Sequence, residues 1–168
     1  MRPVPRRDVL DTAGVRALLP HRDPLVLVDR VVGLRTDPDP ALLAELDLAI
    51  SNDILAPIFA AHFPGRPLWP GAYVIEGLAQ SAQLLLLLRG APPGRWAGAG
   101  VLTDVSVRLL RPISPGGTLC YRVDLIGAFG AGFRVAVEAR MGRTPVAEGI
   151  LGVALVPDPP KPLVQETP

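Results

Sequence analysis

The sequence predicts an α+β layer fold in which an antiparallel sheet packs on one buried helix, and three observations predict it. Residues 72–88 contain no proline, are rich in Ala and Leu, and are apolar almost all round, which marks a helix enclosed in a core. Downstream, residues 101–111, 118–126, 133–140 and 146–156 read as strands, separated by Gly-bearing turns at 127–132 and 142–145. Upstream, residues 25–35 and 42–50 read as two more strands joined through Asp37-Pro38-Asp39-Pro40. Five or six strands with a single long helix make a layered sheet-on-helix domain.

Each element has a local reason. Residues 1–16 read as an N-terminal extension, and Asp11 is placed to cap a short helix over 12–19 that Pro20 stops. Residues 25–35 are rich in Val and Leu, as a buried strand requires, with Asp29 and Arg30 as an ion pair or hydrogen-bonding corner at a strand end. In 42–50, Leu46, Leu48 and Ile50 share one face and Glu45 and Asp47 the other, so a half-exposed strand is expected. Pro64, Pro67 and Pro70 stiffen the loop before the long helix, while Gly65 and Gly71 admit conformations closed to other residues. Pro70-Gly71 then opens the helix, which at about 17 residues is roughly 25 Å long. Its polar exceptions, Tyr73, Glu76, Gln80 and Gln83, fall in one stripe. Residues 90–94 are a loop, and the period of two in 101–111 sets Val101, Thr103, Val105, Val107 and Leu109 against Leu102, Asp104, Ser106, Arg108 and Leu110. The domain runs over 17–156, and the Pro-rich polar tail at 157–168 lacks the apolar residues to build a core and is expected to be disordered.

Composition narrows the function classes. A chain of 168 residues suits one domain with a real core. A net charge of +1 with scattered arginines argues against a nucleic-acid partner, which would call for clustered basic residues. Cys120 is the single cysteine, so no intrachain disulfide or CxxC site exists and a reducing compartment is expected. The basic start of the chain leads into no apolar segment of the secretory kind, so the expected location is cytoplasmic. Glu76, Gln80 and Gln83 argue against a membrane span, which needs about 20 apolar residues. His21 reads as structural, and two histidines without clustered acids or thiols predict no metal site.

The chemistry-bearing segment is His62-Phe63-Pro64-Gly65-Arg66-Pro67-Leu68-Trp69-Pro70-Gly71, with Glu76 on the helix that it opens. An imidazole in a stiff loop, a carboxylate about one and a half turns into an apolar helix, and the N–H of Gly71 at the helix start supply a base, an acid and an oxyanion donor. Burial is expected to push the Glu76 carboxyl pKa up, so that it holds a proton. The bland alternative is a structural hydrogen bond or a subunit contact for Glu76.

His62-Phe63-Pro64-Gly65-Arg66-Pro67, Pro70-Gly71, Glu76 and Ala79-Gln80 resemble the signature of the FabZ-type 3-hydroxyacyl-acyl-carrier-protein dehydratases. The resemblance extends upstream to Leu18-Leu19-Pro20-His21-Arg22-Asp23-Pro24-Leu25 and on to Val31, and downstream to Arg111-Pro112-Ile113-Ser114-Pro115-Gly116. Ala60 and Ala61 depart from the polar-Gly pair usual before the histidine. Gly117 stands where an acidic residue is expected, Leu110 where a basic one is common, and Trp69 where a smaller Met or Phe is common.

The resemblance implies a hot-dog fold, a curled sheet wrapped around the central helix. It also implies dehydration of a (3R)-hydroxyacyl thioester to the trans-2-enoyl product, in fatty-acid or polyketide and polyene synthesis. His62 would be the base, Glu76 the acid and Gly71 the oxyanion donor, with His62 of one chain facing Glu76 of a dimer partner. Phe59, Phe63, Gly65, Trp69, Tyr73 and Gln80 would line the acyl site, and Arg66, Arg108 and Arg111 would meet an acidic acyl carrier protein. No cofactor is expected beyond the carrier's phosphopantetheine arm. A homodimer or higher oligomer is implied, with a heterodimer containing a second hot-dog subunit as the alternative. A non-catalytic subunit and an acyl thioesterase on the same fold stay open as other functions.

Overall fold

The computed structural model describes residues 2–90, 100–130 and 132–155. The loop expected at 90–94, beyond Gly90, and the tail at 157–168 lie outside the described residues. The chain runs β1 (Arg6–Leu10), α1 (Thr12–Leu18), β2 (Arg30–Arg35), β3 (Ala41–Asp47), α2 (Ala56–Ala61), α3 (Gly71–Leu88), β4 (Gly100–Leu109), β5 (Thr118–Phe129), β6 (Gly132–Met141) and β7 (Thr144–Leu155). The strands form one antiparallel sheet in the order β1-β2-β3-β5-β6-β7-β4, curled around α3 as a hot-dog fold.

The period of two in β5 and β6 decides which side chains meet α3. Leu119, Tyr121 and Val123 of β5 and Val135, Val137 and Ala139 of β6 are buried, and Val74, Leu78 and Leu85 of α3 pack in the same core. Gly77 of α3 is required here, because a Cβ on it would lie 2.3 Å from the Tyr121 hydroxyl. Gly142, at φ 56°, makes the short β6–β7 turn, across which Met141 pairs with Thr144.

Four readings change. Residues 6–10, placed in an extension, form an edge strand on β2, and Asp11 caps α1 by accepting from Gly14 N at 2.8 Å. Residues 25–29 are not strand. The Leu27 N–H donates to the Gln80 side chain at 2.9 Å and the Leu25 carbonyl accepts from it at 2.6 Å, so this stretch lies as a strap across α3 and pairing starts only at Arg30. Glu45 is buried rather than half-exposed, because Arg6 and Arg30 both pair with its carboxylate. Ile50, expected to share the Leu46 and Leu48 face, lies beyond the end of β3 and is 60% exposed. Asp29 makes the expected corner by accepting from Asp47 N at 2.7 Å.

β4 alternates as the sequence suggests, yet almost every side chain on it is exposed, because it stands at the sheet edge with β7 as its one neighbour. Gly149 of β7 lets it come close: a Cβ there would sit 2.0 Å from the Ser106 carbonyl. The result is an open edge carrying Val101, Leu102, Val105 and Leu109.

Candidate active site

His62 is held by the short helix before it and the turn after it. Asn52 shapes the turn ahead of α2 by accepting from Ile54 N and Leu55 N through its side chain, and His62 closes that helix by donating its own N–H to Ile58 O at 3.0 Å. Phe63 and Arg66 exchange backbone hydrogen bonds at 3.1 and 2.9 Å, and Leu68 N returns to His62 O at 2.7 Å. The Pro/Gly loop is therefore a closed ring of backbone bonds.

The imidazole orientation follows. Nδ1 lies 3.1 Å from Leu68 O. A carbonyl only accepts, so Nδ1 carries the hydrogen and Nε2 of the neutral ring keeps its lone pair. Phe63 stacks on the imidazole with ring centroids 4.0 Å apart. The ring opens onto a cleft of about 290 Å³ lined also by Trp69, Gly71, Val74, Leu109, Arg111 and Ile113. Gly71 is the first residue of α3, whose first N–H groups have no partner within the helix, and its lack of a Cβ admits Leu109, which a Cβ would meet at 2.3 Å.

Glu76 does not share that cleft. It lines a second one of about 210 Å³ with His21, Ala79, Gln80, Gln83, Gly100, Val101, Leu102 and Val153. Its Oε1 lies 3.3 Å from His21 Nε2 and accepts from Gln80 Nε2 at 2.9 Å. The His21 contact, the largest influence, and the Gln80 bond outweigh partial burial and hold the carboxyl below its ordinary pKa. The expectation of a raised pKa is therefore corrected: a third of the Glu76 side chain remains exposed, and two donors face it.

The remaining predicted site residues fall into several places. Trp69 is 3% exposed and lines the His62 cleft, with Phe59 5.3 Å and Tyr73 5.5 Å away between ring centroids. Phe59, 1% exposed, is a core residue that, with Phe63 and Gly65, borders a shallow third depression. Gln80 is buried and spends its side chain on the strap and on Glu76. Arg111 reaches the His62 cleft while donating to Pro145 O at 2.9 Å. Arg108 pairs with Glu148 across the exposed β4–β7 face, and Arg66 is exposed in the loop. Among the described residues no group of three or more His, Cys, Asp or Glu side chains gathers to hold a metal.

A FabA-like domain model matches residues 19–151, which contain every residue lining the two clefts except Val153. The chain is 35% identical over 144 residues to the 3-hydroxyacyl-acyl-carrier-protein dehydratase FabZ of an Anaeromyxobacter species, covering 85% of this chain and 88% of that one. It is 37% identical over 143 residues to the FabZ of Thermotoga neapolitana, covering 83% and 94%. The chain belongs to the FabZ-type dehydratase family. Among solved structures, a chain of the dehydratase heterocomplex ApeI:P from Xenorhabdus doucetiae superposes with a TM-score of 0.67 at 19% identity, over 86% of this chain and 91% of that one. The fluoroacetyl-CoA thioesterase FlK gives 0.56 at 12% identity, over 69% and 84%. At such identities the likeness shows the hot-dog fold alone.

His21, expected from the sequence to be structural, brings its ring to Glu76 and lines the same cleft. Its place in Leu19-Pro20-His21-Arg22, ahead of a segment that the buried Gln80 anchors, is the sequence feature that goes with this contact.

Proposed function

We propose that the protein dehydrates (3R)-hydroxyacyl groups carried on acyl carrier protein to trans-2-enoyl groups, with a site completed by a second copy of the chain. The observation that carries this reading is the division of the site. His62 and the Gly71 amide line one cleft and Glu76 another, and β4 borders both, with Leu109 at the first and Gly100 to Leu102 at the second. Antiparallel pairing of β4 with β4 of a second copy about a two-fold axis brings opposite ends of the two strands together. His62 of one copy then faces Glu76 of the other. The exposed apolar side chains of β4 support this edge as the contact.

The chemistry follows from the groups. Nε2 of His62 takes the C2 proton, and the charge that develops on the thioester oxygen meets the Gly71 N–H and the positive end of the α3 dipole. Glu76 gives a proton to the 3-hydroxyl as the C3–O bond breaks, so water leaves and the C2–C3 double bond forms. In the single chain Glu76 favours its anion, and docking of a second copy removes its remaining solvent, which pushes its pKa up toward the form that donates. No electrons are transferred, so the reaction needs no cofactor beyond the carrier's phosphopantetheine. Arg66 and Arg111 at the exposed loop and cleft mouth are the residues we assign to the acidic carrier, in the cytoplasm, within fatty-acid synthesis or a related polyketide or polyene route.

Purified protein is expected to form the trans-2-enoyl product from a 3-hydroxyacyl carrier thioester, and His62→Ala or Glu76→Gln to lose about 10²- to 10⁴-fold of that activity. Mixing the two inactive variants is expected to restore part of it in hybrid dimers. Full activity in His62→Ala, or release of free thiol without enoyl product, overturns the proposal.

A further inference from the structure

We infer that His21 is a positioning residue for Glu76, fixing its carboxylate and stabilising the negative charge that forms there as it gives up its proton; this rests on the acid role proposed above. Three features of the fold support it. The turn that carries His21 is fastened on both sides. Arg16 of α1 grips Asp23 through two bonds of 2.7 and 2.8 Å, Arg22 returns Nη1 to Leu19 O and His21 O, and Gln80 anchors Leu25 and Leu27 to α3. The ring is also oriented by Glu76 alone: Nε2 lies 3.3 Å from Oε1, while the buried Nδ1 has no hydrogen-bond partner among the described residues. Finally, Gln80, already committed to the strap, donates to the same oxygen, Oε1.

Two donors on one carboxylate oxygen fix the side-chain rotamer and leave the other oxygen, Oε2, as the one to carry the transferable proton. A contact of 3.3 Å is long for a hydrogen bond, and catalytic bonds of this kind tighten when charge develops. An N–H···O bond strengthens when the acceptor becomes an anion. The His21 contact is therefore stronger after proton transfer than before it, which is the condition for lowering a barrier rather than only binding. Around Glu76 the groups to be counted are His21 from the strap, Gln80 from α3, and the buried Tyr121 hydroxyl of β5, which Asp29 also faces; β4 and β7 present only Gly100, Val101, Leu102 and Val153. His21 is the only one of these that approaches Glu76 as a titratable donor.

The test compares His21→Ala with His21→Gln, whose amide nitrogen reaches near the position of Nε2, in the full-length protein. The Glu76 carboxyl is titrated by 13C NMR, without substrate, and kcat is measured against pH with a 3-hydroxyacyl thioester. The carboxyl midpoint is expected to rise in His21→Ala, kcat to fall roughly 10- to 100-fold, as for loss of a hydrogen bond to a charged group, and the basic limb of the kcat profile to move to higher pH. His21→Gln is expected to recover most of kcat. An unmoved carboxyl midpoint in folded His21→Ala, or a His21→Gln as impaired as His21→Ala with an unmoved basic limb, overturns the inference. Wild-type protein lacking dehydratase activity overturns the proposed function instead, and the substrate-free titration still decides whether His21 governs the Glu76 charge.

Discussion

Replacing Gln80 with Leu tests how the strap over α3 is held. The substitution keeps the side-chain volume nearly constant, so it opens no large cavity, but it removes three hydrogen bonds, to Leu27 N at 2.9 Å, Leu25 O at 2.6 Å and Glu76 Oε1 at 2.9 Å. The Leu27 N–H is buried and has no sheet neighbour to replace its partner; stranding such a donor costs about 1–3 kcal/mol. The Leu25 carbonyl, nearer the surface, recovers part of its loss from water. The sum is about 2–4 kcal/mol, a large share of the ~5–15 kcal/mol that holds a domain folded. Urea denaturation at fixed chain concentration is expected to show a lower midpoint at unchanged slope, and Tm to fall by about 5–15 °C. Amide exchange at Leu27 is expected to accelerate. A loss below about 1 kcal/mol with Leu27 still protected refutes the reasoning, because it means that the strap is held by the packing of Val26, Leu27 and Val28 and not by Gln80.

Two further outcomes follow from buried polar groups. The Tyr121 hydroxyl is fully buried against Gly77 with no hydrogen-bond partner among the described residues, so Tyr121→Phe is expected to stabilise the protein by up to about 1 kcal/mol, and a destabilisation of more than that in thermal melts contradicts it. Burial alone pushes the Glu45 carboxyl up, but Arg6 and Arg30 together hold it below the usual range. A depressed folded-state pKa contributes stability above the unfolded carboxylate's pKa, which is lost as pH falls through the folded value. Glu45→Gln is expected to lower the urea midpoint at neutral pH and to flatten its fall on acidification, and an unchanged acid slope excludes this pair as a source of acid sensitivity.

Much of this protein was legible in its sequence because the responsible interactions are local. The Pro-free apolar run fixed the place of α3, the Asp11 cap located α1, the Gly-bearing turns marked off β5, β6 and β7, and the Pro/Gly spacing around His62 announced a rigid loop opening a helix. His62 and Glu76 stood out as a candidate pair for the same reason, since both lie in one short segment, although within the chain they line separate clefts. Tertiary structure decided what depends on partners distant in the chain. Glu45 is buried because Arg6 and Arg30 converge on it, and residues 25–29 leave the sheet because a Gln80 side chain, far along the sequence, takes the backbone groups that a neighbouring strand would have used. The same holds for the charge on Glu76. Burial argued for a proton, but His21 arrives beside it on a strap fastened through Arg16 and Gln80, and a donor 3.3 Å away outweighs partial desolvation. Periodicity reports which face of an element is apolar, whereas the protonation of a site depends on which donors the fold carries to it.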